Sequence, residues 1–403
     1  MIPTLILQTW LLALMSLGII GGSVYLGHRW QQSSWGWDPV LAQSVFDPHL
    51  GFNEPTALLA AAAILIFLSL WGGTLIRAIL RRKRPISPNP DIDPRKAPVP
   101  TARHRLQRPD GSDLYVEVHG ESEGIPLILT HGWGLHSAEW NHLKRDLGDK
   151  FRLVVWDEPG LGKSTRPANR DYSLENLARD LDAVVQFASG AKTPVVLVGH
   201  SIGGMITLTY CRLFPAALGS KVSGIVLTHT TPTNPVRTTS GAAFYSAIET
   251  PVLKPLMYLT MVVSPILWLL NWLAYRNGLA HLSTMRGSFA GTESWQQIDF
   301  AAAFQTKASP AVIARGMLGM MRYDALEVLP KITIPALIVS GDRDTTTLPE
   351  ASKTMNDLIP NAQLVTLSPA KHLGLIEHHR IYSTEVAEFA YMCRAKVKES
   401  QLA

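Results

Sequence analysis

Ser201 stands in Gly199-His200-Ser201-Ile202-Gly203, between the apolar run 194–198 and a second apolar segment, 205–210. The order reads as buried strand, sharp turn, helix. The glycines let the backbone bend tightly and lift the serine hydroxyl to the start of the helix. A serine held there is a nucleophile that needs a base, an orienting acid and donors for an oxyanion. Other strand ends supply candidates for each. His131-Gly132-Trp133-Gly134 leaves a strand in a Gly-flanked turn, so the backbone N–H groups of Trp133 and of Ile202, the residue after the nucleophile, are the oxyanion donors. Gly341-Asp342-Arg343-Asp344 leaves another strand. Asp344, out on the loop, is the acid. Asp342 follows the strand directly and suits capping the turn or pairing with Arg343. His372, five residues past the last strand with Gly374 beside it, is the base. His378 and His379 lie in the helical pattern that follows and read as surface or packing residues, whereas His229 ends a strand and can face the site. The chain order Ser201, Asp344, His372 is one specific nucleophile–acid–base order.

Those residues need a scaffold that brings strand ends together. Short apolar strands are expected at 114–118, 127–130, 153–156, 195–198, 224–228, 336–339 and 364–367, with helical patterns between several of them. One helix is capped by Ser173 and continues through Leu174, Leu177, Leu181, Val184 and Val185. Others run over 203–214 and 381–392. Alternation of this kind predicts a mostly parallel sheet covered on both faces, with sites at the carboxyl ends of the strands. Residues 230–331 break the alternation and are too long for one crossover, so an inserted helical lid is expected there, between core segments 102–229 and 332–403. Within it, residues 255–275 carry no charge over twenty-one positions. That is long enough to cross a bilayer. A single crossing would nevertheless put Ser201 and the pair Asp344 and His372 on opposite sides of the membrane, and Pro265 would kink any helix through it.

The chain of 403 residues is 46% apolar and 17% charged, and both are unevenly spread. Residues 1–84 read as a membrane anchor with spans at about 4–27 and 56–80, each near the roughly 20 residues a bilayer requires. A cleaved signal peptide fits the first run less well, because it lacks a basic leader and a second apolar run follows closely. Between Arg81 and Arg108 there are nine Arg or Lys against two Asp, a local charge of +7 that leaves about −2 of the total +5 for the remainder. This cluster directly follows an apolar span, which assigns it to topology and anionic lipid headgroups rather than to nucleic acid. The positive-inside rule then places the catalytic part in the cytoplasm. The loop 28–55, with one Arg against Asp38, Asp47 and Glu54, lies outside, where Trp30, Trp35 and Trp37 suit the interface. Residues 85–101 hold six prolines and read as an extended linker. The two cysteines, Cys211 and Cys393, suggest neither a metal site nor a disulfide framework.

From residue 102 to about 395 the chain resembles the α/β-hydrolase fold, in its lidded esterase and lipase branch. The matching pieces are His131-Gly132, Asp157-Glu158-Pro159-Gly160-Leu161-Gly162-Lys163-Ser164, the Ser201 pentapeptide, Gly341 to Asp344, and His372. The resemblance implies a mostly parallel sheet, a Ser-Asp-His triad and no cofactor. Ser201 separates the chain from relatives with Asp at the elbow, and Lys371 departs from the glycine more usual before the histidine. The first hundred residues lie outside the resemblance, although membrane-anchored monoacylglycerol-lipase-like members also carry N-terminal spans. The expected activity is hydrolysis of a lipophilic carboxylic ester at a membrane. A thioesterase, a carbon–carbon bond hydrolase or a perhydrolase would use the same triad, and a non-enzymatic membrane scaffold would keep only the fold. No feature of the sequence sets an oligomeric state.

Overall fold

The computed structural model describes residues 2–47, 54–83, 93–120, 126–189 and 193–402. Two long helices lead, α1 (Ile2–Ser33) and α2 (Glu54–Lys83), with the antiparallel strands β1 (Trp35–Asp38) and β2 (Gln43–Phe46) between them. The body follows as β3 (Ala102–Gln107), β4 (Asp113–His119), β5 (Leu127–Thr130), α3 (Asn141–Leu147), β6 (Leu153–Trp156), α4 (Leu174–Ala188), β7 (Val195–His200), α5 (Ile202–Leu213) and β8 (Val222–Thr228). An inserted segment carries α6 (Ala242–Ile248), α7 (Lys254–Val262), α8 (Ser264–Asn277), α9 (Leu279–Ser288), α10 (Trp295–Phe304) and α11 (Pro310–Met320). The body closes with β9 (Ala336–Gly341), α12 (Pro349–Leu358), β10 (Ala362–Leu367), α13 (Gly374–Glu377) and α14 (His379–Leu402).

The main sheet has eight strands in the order β10-β9-β8-β7-β5-β6-β4-β3. β3 and β4 pair antiparallel, as do β4 and β6, and every other pair is parallel. Register sets the position of the site. Thr130 lies opposite Gly199, His200 opposite Thr228, Thr228 opposite Val339, and Leu367 opposite Gly341. The residues that leave β5, β7, β8, β9 and β10 therefore emerge along one edge.

Side chains alternate across the sheet, as the period of a strand requires. Ile128, Val154 and Leu197 pack on one face with α4 and α5, whereas Leu127, Leu129, Val155, Val196 and Val198 pack on the other with α3 and α14. α4 begins where Ser173 accepts a hydrogen bond from the Asn176 N–H, and its apolar stripe, Leu177, Leu181 and Val184, is fully buried. β3 is a strand that the sequence pattern does not signal. Its residues are half-buried or exposed, so no apolar alternation marks it.

The uncharged stretch 255–275 is two helices. The chain bends by 94° between the segment ending at Val262 and α8, and Pro265 sits in the first turn of the new helix, where its missing N–H costs nothing. Among the described residues, α1 and α2 are each long and apolar enough to cross a membrane, and each extends past the span read from sequence. They pack on each other and on α8. Ser23 Oγ donates to the Ala62 carbonyl at 3.0 Å. A Cβ on Gly72 would lie 2.6 Å from the Asn277 carbonyl oxygen, and one on Gly73 would lie 2.7 Å from those of Tyr275 and Arg276, so only glycine admits this approach. Of the linker residues, 85–92 lie outside the described set. Arg95, just beyond, pairs with Asp93 and Asp299 and lies over the Trp295 ring.

Candidate active site

Ser201 sits at the break between β7 and α5 with φ 57° and ψ −116°, a sparsely populated conformation that costs on the order of 1–3 kcal/mol and must be imposed by its surroundings. The imposing contacts are visible. Ser201 N–H donates to the Thr228 carbonyl at 2.9 Å, and Thr230 Oγ1 donates to the Ser201 carbonyl at 2.6 Å. Strand and helix approach so closely that a Cβ on Gly199 would lie 2.4 Å from the Gly203 carbonyl, and one on Gly203 would lie 2.3 Å from that of Thr130.

His372 lies between Ser201 and Asp344. Its Nε2 is 3.1 Å from Ser201 Oγ and its Nδ1 is 2.9 Å from Asp344 Oδ2. Asp344 only accepts, so Nδ1 carries the proton and Nε2 is free to take one from the serine. Asp344 is held by the N–H groups of Thr346 and Thr347 on Oδ1, at 2.8 and 3.1 Å, and by Thr347 Oγ1 on Oδ2 at 2.9 Å. Burial pushes its carboxyl up, but His372 and His229 outweigh that and hold it well below 3.8. Burial lowers His372 to about 4 against the pull of Asp344, which keeps the imidazole neutral at pH 7. Asp342 turns elsewhere, accepting from Ser368 Oγ and the Ala370 N–H, both at 2.8 Å, and so fastens the loop that carries His372.

The turn at 132–135 closes with Leu135 N–H donating to the Gly132 carbonyl at 3.0 Å, and Gly134 takes φ +82° as the third residue of a type II turn. Trp133, at the second position, is tied to α11 by its indole N–H on the Ile313 carbonyl at 3.0 Å. Trp133, Ser201 and His372 line one cavity. Ile202 opens α5, where a backbone N–H has no acceptor within the helix. Among the described residues no group of three or more His, Cys, Asp or Glu is arranged to hold a metal ion.

A family model for the α/β hydrolase fold matches residues 125–251. The chain has the α/β-hydrolase fold. It is 23% identical over 281 residues to Lipase 1 of Psychrobacter immobilis, covering 66% of this chain and 77% of that lipase. A thermophilic esterase from Thermogutta terrifontis superposes with a TM-score of 0.59 at 22% identity, covering 73% of this chain and all of the esterase. A membrane phospholipase A described as a bacterial virulence factor superposes at 0.56 with 20% identity, covering 84% of this chain and 96% of its own. At such identities the structural likeness establishes the fold.

Three further residues, to which the sequence assigns no role, join these contacts. Glu139 is fully buried, and its Oε2 accepts the Gly132 N–H at 2.8 Å. Its Oε1 lies 2.6 Å from His200 Nδ1, and His200 Nε2 donates to the His372 carbonyl at 3.1 Å. The carbonyl can only accept, so Nε2 carries a proton, and the carboxylate beside Nδ1 favours a second one there. Burial lowers the His200 pKa, but Glu139 outweighs it and the net shift is upward. Burial raises Glu139, and His200 overcomes that. A buried ion pair therefore links the turn of Trp133 to the loop of His372. His229 is the third, with Nδ1 3.3 Å from Asp344 Oδ2. His200 lies inside the pentapeptide and His229 at a strand end, so both were in view. Glu139 stands seven residues beyond Gly132 in no pattern at all.

Proposed function

We propose that this α/β-hydrolase is a membrane-anchored serine hydrolase that cleaves carboxylic esters of lipophilic substrates through an acyl-enzyme. The observation that carries the reading is the line of contacts Asp344–His372–Ser201, at 2.9 and 3.1 Å. His372 Nε2 takes the Ser201 proton as Oγ attacks the ester carbonyl. The N–H groups of Trp133 and Ile202 hold the oxyanion. The carbon–oxygen bond to the leaving alcohol breaks as His372 returns the proton to that oxygen. Water, deprotonated by His372, then attacks the acyl-enzyme; the acid departs and Ser201 regains its proton. Asp344 orients the imidazole and stabilises its cation throughout.

The lipophilic part of the reading rests on surface. α1 exposes Leu11, Leu14 and Leu17, α2 exposes Ile64, Phe67 and Leu75, and the bend of the insert exposes Val262, Ile266 and Leu269. Apolar area on this scale marks contact with lipid or a partner. The names of the relatives, a lipase and a membrane phospholipase, agree with lipid esters. The test uses the full chain in liposomes. Ser201 reacts with a fluorophosphonate, Ser201→Ala abolishes the reaction, and hydrolysis favours long-chain over acetyl esters. A folded wild-type protein that does not react would sink the hydrolase reading, and a strict preference for acetyl esters would sink the lipid one.

A further inference from the structure

The cavity above Ser201 is walled in part by the membrane helix itself. Besides the turn at 132–135 and residues of α7 to α11, its lining includes Leu5, Ile6, Gln8 and Thr9, all from the first turns of α1. The helix is fixed there at two points. Trp10 Nε1 donates to Thr260 Oγ1 on α7 at 2.8 Å, and Asn277 Nδ2, at the end of α8, donates to Ser16 Oγ at 3.1 Å. Burial follows one face, with Ile6, Leu12, Ala13 and Ser16 buried, while Leu11 and Leu14 on the opposite face are more than half exposed. Length fits the same division. The 32 residues of α1 span roughly 48 Å, about a dozen residues more than a hydrocarbon core of roughly 30 Å requires. That excess, counted from the start of the helix, covers the residues from Leu5 to Thr9 that line the cavity.

We infer that the start of α1 is a wall of the acyl-binding site, so that the chain-length preference of the enzyme is set partly by its own membrane anchor. An acyl chain esterified to Ser201 lies between the insert and the Leu5, Ile6 and Thr9 side of α1. Thr9 Oγ1 is already occupied with the Leu5 carbonyl at 2.9 Å, so it presents its methyl side without an unmet polar demand. Gln8 is the polar group of that wall and suits the ester or alcohol end of a substrate. This inference rests on the ester-hydrolase reading, and its test keeps the two apart.

The full-length protein in phosphatidylcholine vesicles is treated with long-chain alkyl fluorophosphonates bearing a diazirine near, midway along or at the end of the chain. Attack of Ser201 Oγ forms the oxygen–phosphorus bond and expels fluoride, with the serine proton passing to His372. Irradiation and peptide mass spectrometry then locate the chain. Crosslinks from at least one probe to residues 5–9 are expected. Phosphonylated Ser201 with crosslinks only to the insert or to lipid overturns the inference and leaves the hydrolase reading standing. No phosphonylation of Ser201 overturns both. In parallel, Ile6→Trp and Thr9→Trp lower the ratio of kcat/KM for long against short acyl esters by about tenfold or more. Leu14→Trp, on the exposed face of the same helix, leaves the ratio unchanged. An unchanged ratio in both pocket-facing variants overturns the inference. If those variants fail to fold, the crosslinking result decides.

Discussion

The buried pair of Glu139 and His200 does at one point what the contacts of Asp344, His372 and Ser201 do at another: it fixes the geometry of groups that belong to different strands. Its charge also acts on the base. The ring centroids of His200 and His372 are 5.0 Å apart, and the His200 cation is among the influences that lower His372. Two outcomes follow. In the proposed mechanism His372 must be neutral to accept the serine proton, so activity is expected above its pKa and is lost as pH falls through it. The acid limb of kcat/KM on a soluble ester therefore lies below 6.5, toward about 4. Glu139→Gln removes the anion, so His200 titrates to neutral and its depression of His372 is lifted. The expected result is a fall in kcat of about tenfold to a hundredfold together with a shift of the acid limb to higher pH. Lost packing alone would lower the rate and leave the limb in place, and Glu139→Asp, which keeps the charge, should restore the limb. The sequence made Ser201, Asp344 and His372 legible because strand ends and Gly-flanked turns announce themselves in residue types. Glu139 was not legible, because a buried carboxylate is set by what faces it across space, and no spacing along the chain records that.

Elements in this protein meet through backbone as much as through side chains. Asp299, in α10, receives Tyr275 Oη and His281 Nε2, each at 2.9 Å, and pairs with Arg77 of α2 and Arg95 of the former linker stretch. The approach of α2 to α8 is closer still, at Gly72 and Gly73. Replacing glycine by alanine inside a helix ordinarily gains up to about 1 kcal/mol. Gly73→Ala should instead lower the thermal midpoint in detergent, because its Cβ meets two carbonyl oxygens at 2.7 Å, with a cost of about 1–3 kcal/mol for overpacking. Gly21→Ala, where nothing lies within 4 Å, should leave the midpoint unchanged or raise it. Equal effects at the two positions would refute this account of the interface. The same elements show why the sequence read unevenly. The buried parallel strands and α4 carry strong apolar patterns. β1, β2 and β3 are mostly exposed and carry none. α1 read simply as a span, since an uncharged run looks the same against lipid as against protein.

At the scale of the whole molecule, the helical hairpin and the body constrain each other. The start of α1 docks on the insert, and the end of α2 places Arg81 over the Trp295 ring at 4.3 Å and Arg77 beside Asp299. Both ends of the hairpin therefore share a side with Ser201, and the tip carrying β1 and β2 lies at the far end of two helices roughly 45 Å long. If α1 and α2 cross the bilayer, the tip and the body are in different compartments, and the positive-inside rule applied to the Arg81-Arg82-Lys83-Arg84 cluster predicts the body on the cytoplasmic side. The chain lends itself to a direct test. Its two cysteines, Cys211 and Cys393, are buried, whereas Val40 near the tip is 90% exposed and Val99 beside the body is 86% exposed. In intact cells a membrane-impermeant maleimide should modify Val40→Cys and spare Val99→Cys. In inverted vesicles the pattern should reverse. Modification of both from one side would show that the hairpin lies against the membrane without crossing it, and the lipid-facing role of α1 would then rest on its docked first turns alone.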